Sequence, residues 1–169
     1  MLNEAIKREM NLYGDLLVRE YARKLQSDKT FATGKLANSL NFSIEELSNG
    51  VNLYIEGYSY GRVVDEGRSP SLPPPYKEII KWINAKGSFR IRDSKGKFVP
   101  KTVKNVARAA YGVAQGIGVN GTIARFNYGG SNFLTIVYNR IANDMGDDFA
   151  EAFGKDVELQ LEKILYEKQ

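Results

Sequence analysis

The sequence predicts an α+β fold: a small antiparallel β-sheet packed by a long N-terminal helix and several further helices. Three observations predict it. Apolar residues recur at three- and four-residue steps from Leu2 through Ile6, Met10, Tyr13, Leu17 and Tyr21 to Leu25, the period of a helix with one buried face. Apolar and polar residues then alternate strictly in Leu40–Glu45 and again in Val51–Glu56, the period of strands with one buried face. From residue 76 onward the helical period returns and dominates.

Taken in order, the first helix should end near Ser27-Asp28, where polar residues interrupt its stripe. The two alternating runs form a hairpin through Ser48-Asn49-Gly50, since Asn-Gly tolerates the positive φ of a tight turn. Tyr60–Gly67 reads as a short helix or turn with Val63 and Val64 inward. Ser69 to Pro75 holds four of the five prolines and reads as an extended connector, because proline fixes φ and lacks a donor. Pro75 opens a helix over about Tyr76 to Ala85 that buries Ile79, Ile80 and Ile83, with Gly87 placed to stop it. Residues 88–100 read as a short flexible hairpin or loop turning at Asp93-Ser94-Lys95-Gly96. A helix over about Thr102 to Ile117 carries the stripe Val103, Val106, Ala107, Ala110, Tyr111, Ala114 and Ile117, and Gly118 is its expected stop. Gly112 and Gly116 are expected to let that helix pack closely. After a glycine-rich loop, helix resumes at Phe133. It is expected to break at Met145-Gly146-Asp147-Asp148 and to restart under an Asp147 cap, with Phe149, Phe153, Val157, Leu161 and Ile164 as its stripe. The whole is expected to be one domain over residues 1–169, with three to five helices, a basic projecting loop at 86–101 and a helical C-terminal part at 131–169.

Composition bounds the chemistry. The chain of 169 residues contains no cysteine and no histidine. Disulfides, thiolate ligands, the commonest general base and the commonest neutral metal ligand are therefore missing. No P-loop spacing is present. The carboxylate pairs Glu45-Glu46, Asp65-Glu66 and Asp147-Asp148 are adjacent in sequence, so their side chains diverge on a helix or strand. The expectation is no enzyme, no cofactor and no metal. No apolar run approaches the roughly 20 residues of a membrane helix, and the charged N-terminus lacks the core of a secretion signal. A soluble protein made in the cytoplasm, with no membrane partner, is expected.

Charge is unevenly spread. Residues 60–130 hold 13 basic and 4 acidic residues, a net +9, whereas residues 131–169 hold 4 and 8, a net −4. The densest basic cluster is Arg90, Arg92, Lys95, Lys97, Lys101 and Lys104. Three readings stay open for it: contact with the phosphates of DNA in a channel, docking to an acidic neighbour, or plain solvation. Tyr54, Tyr58, Tyr60, Tyr76, Tyr111 and Tyr128 lie in or near the basic middle. They fit protein–protein interfaces better than stacked bases, since an apolar ring with a polar tip suits partial burial.

Four stretches, in order, carry a resemblance. Ala32-Thr33-Gly34-Lys35-Leu36-Ala37-Asn38-Ser39-Leu40 resembles a "TG-x-L-x-x-S-I" stretch between a long helix and a first strand. Tyr60 to Arg68, including Gly67, resembles "YA-x-x-V-E-x-G", with Asp65-Glu66 where a single acidic residue is usual. Pro73-Pro74-Pro75 with Ile79, Ile80, Trp82, Ile83 and Lys86-Gly87 resembles "PP-x-x-x-I-x-x-W-x-x-x-KG". Ala109 to Ile117 resembles "A-x-x-I-A-x-x-I-x-x-x-G". Together they resemble the small neck proteins of tailed bacteriophages, the tail-completion or tail-terminator (head–tail joining) family, over residues from about 15 to 121. The resemblance implies a structural virion protein that forms homo-oligomeric rings, often of six copies or of twelve at the portal side. It implies neck, portal or tail proteins as partners and a passage for DNA. It marks Thr33, Gly34, Leu36, Ser39, Gly67, Pro74, Trp82 and Gly87 as structural motif positions. The alternative expectation is a non-specific nucleic-acid-binding domain using the basic middle.

Overall fold

A computed structural model of the chain describes residues 4–28, 34–47, 50–123 and 129–166. Helices and antiparallel strands both occur, with six helices and two two-stranded sheets among the described residues. The chain falls into two compact units. Unit 1 comprises Met1–Ser27, Lys35–Tyr58 and Phe133–Gln169; unit 2 comprises Asp28–Gly34 and Ser59–Asn132.

Unit 1 is built from α1 (Glu4–Ser27), α2 (Lys35–Ser39), β1 (Asn41–Leu47), β2 (Gly50–Glu56) and the long α6 (Phe133–Tyr166). The α1 stripe buries as its period requires: Tyr13, Leu17, Tyr21 and Leu25 are all buried. They meet Phe133, Val137 and Ile141 of α6, which are buried at the same four-residue step. Tyr21 stands edge-on to Phe133 with centroids 5.8 Å apart, and Tyr13 is tilted against Phe149 at 5.6 Å. Each fully buried aliphatic side chain here contributes about 1.5–3 kcal/mol. Gly14 of α1 is buried because the Phe42 ring of β1 lies where a β-carbon would stand. β1 and β2 pair antiparallel from Asn41–Glu56 to Leu47–Gly50. The Ser48 and Asn49 of the expected turn lie outside the described residues.

The expected break in the C-terminal helix does not occur. Residues 133–166 form one helix of 34 residues, so Asp147 is interior and caps nothing. Gly146 costs a helix only about 1 kcal/mol relative to alanine. Packing on either side, through Ile141 and through Phe149 and Ala152, outweighs that.

Unit 2 is built from α3 (Gly61–Glu66), α4 (Tyr76–Ala85), β3 (Ile91–Arg92), β4 (Phe98–Val99) and α5 (Val103–Asn120). Its core joins Ile83 of α4, Ile91 of β3 and Val106 and Ala110 of α5, with Ile79, Ile80, Trp82, Phe89 and Val99 packed around them. Thr102 caps α5, its side chain accepting from the Asn105 N–H at 3.3 Å.

Five expectations are corrected here. In α3 the buried residue is Asp65, while Val63 is exposed, because one and a half turns leave no period to read. In α5, Val103 and Tyr111 are 89% and 60% exposed. Gly118 does not stop α5. It sits inside the helix with Pro73 against it, where a β-carbon would come within 2.8 Å of the proline Cγ. The stop is Gly121, at φ 67°. Nothing approaches Gly112, whereas Pro73 packs closely on Gly118. Gly87 does not end α4 in a left-handed turn: Lys86 follows the helix in extended conformation, and its N–H donates to the Trp82 carbonyl at 2.9 Å.

Candidate functional site

The basic loop is a hairpin whose turn is written in its residues. The Asp93 Oδ1 accepts from the N–H groups of Lys95 and Lys97, both at 2.9 Å, and Gly96 takes φ 78°. β3 and β4 pair Ile91 with Val99 and Arg92 with Phe98. Ile91 is buried in the unit 2 core, so the hairpin is anchored at its base rather than loose. Its outer face carries Phe98, half exposed, with the guanidinium of Arg92 at 4.2 Å and that of Arg90 at 5.6 Å from the ring centroid. Arg92 also donates to the Gly96 carbonyl at 3.1 Å. Lys95 and Lys97 are exposed at the tip.

Arg90, Arg92, Lys95 and Lys97 are thus brought together. Lys101 and Lys104 are not part of that group. The Lys101 ammonium donates to the carbonyls of Ile83 and Lys86 at 3.2 and 3.0 Å, satisfying the end of α4. Lys104 is exposed on the first turn of α5. Lys86 lies over the Trp82 ring at 5.1 Å, and Trp82 stands edge-on to Phe89 at 5.3 Å.

The motif positions hold the backbone in place. Gly34 adopts φ 71° directly before α2, and Leu36 is buried. The Ser39 hydroxyl donates to the Leu36 carbonyl at 2.8 Å and accepts from the Tyr58 N–H at 3.2 Å, tying α2 to the end of the hairpin. Thr33 lies outside the described residues. Gly67 closes α3 at φ 78°, its N–H donating to the Val63 carbonyl at 3.0 Å. Pro74 is half-buried beside the Pro73–Gly118 contact.

A second set of residues escaped sequence reading. Arg68 N–H donates to the Thr122 hydroxyl and Thr122 N–H to the Arg68 carbonyl, both at 2.8 Å. Ser71 N–H donates to the Gly118 carbonyl at 2.9 Å. Ser131 and Asn132 N–H groups donate to the carbonyls of Val64 and Asp65, both at 2.9 Å. Gly121 and Gly130 take positive φ where the Arg68 and Asp65 carbonyls crowd the β-carbon position. Arg68 itself braces the proline connector through the Ser71 hydroxyl and the Leu72 carbonyl. The glycines at 121 and 130 are the signal the sequence offers for these turns.

No protein-family model matches the chain, and neither a curated protein nor a solved structure matches it.

The chemistry must therefore be read from the geometry. No group of three Asp or Glu side chains that could hold a metal ion occurs among the described residues. Tyr54 donates to Glu45 at 2.8 Å, Lys7 pairs with Glu46 at 3.0 Å, and Tyr13 donates to Asp148. The hydrogen bond and charge of Glu46 raise the Lys7 ammonium above its usual range. A shallow pocket in unit 2 is lined by Ile80, Asn84, Lys101, Val103, Val106 and Ala107, and it offers no carboxylate. Tyr54, Tyr58, Tyr60, Tyr76 and Tyr111 are all exposed; Tyr128 lies outside the described residues. The basic hairpin presents cationic and aromatic contact area.

Proposed function

We propose that the chain is a structural, non-catalytic virion subunit of a tailed bacteriophage, one copy of a ring at the head–tail junction that completes, terminates or connects the tail. The observation that carries the reading is the duty of the motif residues. Gly34, Leu36, Ser39, Gly67 and Trp82 make turns, ties and packing contacts rather than lining a reactive centre. Residues that set backbone shape and packing suit a protein whose work is assembly. The four resembling stretches keep the family's order along the chain. In this reading six or twelve copies join through two different patches on each subunit, as cyclic symmetry requires. The ring assembles in the host cytoplasm, binds portal, neck or tail proteins, and leaves a passage for DNA.

Sedimentation and negatively stained particles test it. A closed ring of fixed copy number is the expected result. A chain that stays monomeric at working concentrations and ignores portal and tail proteins overturns the reading.

A second reading has one observation in its favour. Arg90, Arg92, Lys95 and Lys97 share one anchored hairpin with an exposed Phe98, which suits phosphate contact without sequence preference. It predicts micromolar binding of short DNA with a steep salt dependence.

A further inference from the structure

The far end of α6 carries an apolar stripe that stands exposed among the described residues. Ala152 is buried, but no described side chain beyond it is. Phe153, Val157 and Leu161 follow at four-residue steps and are 59%, 42% and 56% exposed. Glu151, Glu158 and Glu162 form a row beside that stripe, spaced seven and four residues apart. Residues 147–163 carry six acidic side chains against two basic. Apolar area alone would permit two such helices to pair. Their like charges oppose that.

Unit 2 presents a face of opposite sign. Lys104, Arg108, Tyr111, Gln115 and Val119 recur along α5 at steps of four, three, four and four residues, and all five are exposed. The first two turns of this face are cationic and the rest is aromatic, polar and aliphatic. An acidic helix with an apolar stripe complements its cationic end in charge and the adjoining Tyr111 in hydropathy.

We infer that the end of α6 from one copy docks on the α5 face of a second copy. The inference rests on the ring reading for the presence of a neighbour, and it names the surfaces that meet. The contact is heterologous, since the two patches differ, so it propagates from copy to copy until the ring closes. With the two helices crossing, it places Glu158 and Glu162 against Lys104 and Arg108 while Val157 and Leu161 meet Tyr111.

The test uses the full-length chain. Reversal of one side (Glu158→Lys with Glu162→Lys) or of the other (Lys104→Glu with Arg108→Glu) should raise the concentration needed for assembly by roughly tenfold or more. All four side chains are exposed, so the fold is retained. The quadruple reversal should restore assembly. The chain has no native cysteine, so a mixture of Val157→Cys and Tyr111→Cys chains should give a disulfide-linked dimer containing one of each. A wild-type ring that ignores both reversals and yields no mixed dimer overturns this contact and leaves the ring reading standing. Loss of assembly that the quadruple variant does not rescue also overturns it. A wild-type chain that never assembles overturns both.

Discussion

The Tyr13 hydroxyl of α1 donates to the Asp148 carboxylate of α6 at 2.5 Å, across 135 residues of sequence. Burial, with help from Asp148, pushes the phenol up to about 12 from its usual 10.0. The folded state therefore keeps this proton over a range in which the unfolded chain loses it. The stabilisation is complete below pH 10.0 and disappears as pH rises toward about 12. Tyr13→Phe should cost about 1–2 kcal/mol at neutral pH, since Asp148 is exposed and water can replace the lost donor. Its loss of stability between pH 10.0 and about 12 should be shallower than that of the wild type, as read by denaturant unfolding at each pH.

The glycines of unit 2 should respond with opposite signs. Gly121→Ala forces a side chain into positive φ and onto the Arg68 carbonyl, at a cost of roughly 2–4 kcal/mol. Gly112→Ala adds a methyl to open space on a helix and should stabilise by about 0.5–1 kcal/mol. Thermal unfolding of the two variants decides both.

Lys101 should prove a structural cation. Lys101→Met removes the donor from the Ile83 and Lys86 carbonyls and should cost about 1 kcal/mol. If DNA is bound at all, Lys97→Ala should lower the slope of log affinity against log salt by about 0.9, while Lys101→Met leaves it unchanged. A salt titration in a fluorescence anisotropy assay separates them.

Asp93→Ala should loosen only the hairpin tip. It removes the acceptor for two backbone N–H groups, whereas Ile91 still holds the base in the core. Amide exchange should quicken at Lys95 and Lys97 and stay unchanged at Val106.

Strand period and turn chemistry are legible in the residues alone: the β1–β2 hairpin, the Asp93–Gly96 turn and the α1 stripe all stand where local pattern puts them. Helix ends are less legible. A periodic pattern marks several glycines as possible stops, and only the Pro73 contact shows that Gly118 is packed and Gly121 terminates. Met145–Asp148 reads as a break because local propensity is weak there, but packing against α1 overrides it. The basic cluster is readable as a composition. Its division into a hairpin group and a helix-capping Lys101 depends on backbone carbonyls far away in sequence, which no local pattern encodes.

The order of segments in the two units bears on how the chain is made. Most of unit 2 is one continuous run, Ser59–Asn132, whereas α1 of unit 1 finds its main partner only in α6. During synthesis the α6-facing side of α1 stays open until Phe133 and the turns after it leave the ribosome, while α2 and the hairpin can pack on α1 earlier. Unit 2 can collapse in that interval. Unit 1 then closes over a large sequence separation, which makes its folding the slower step.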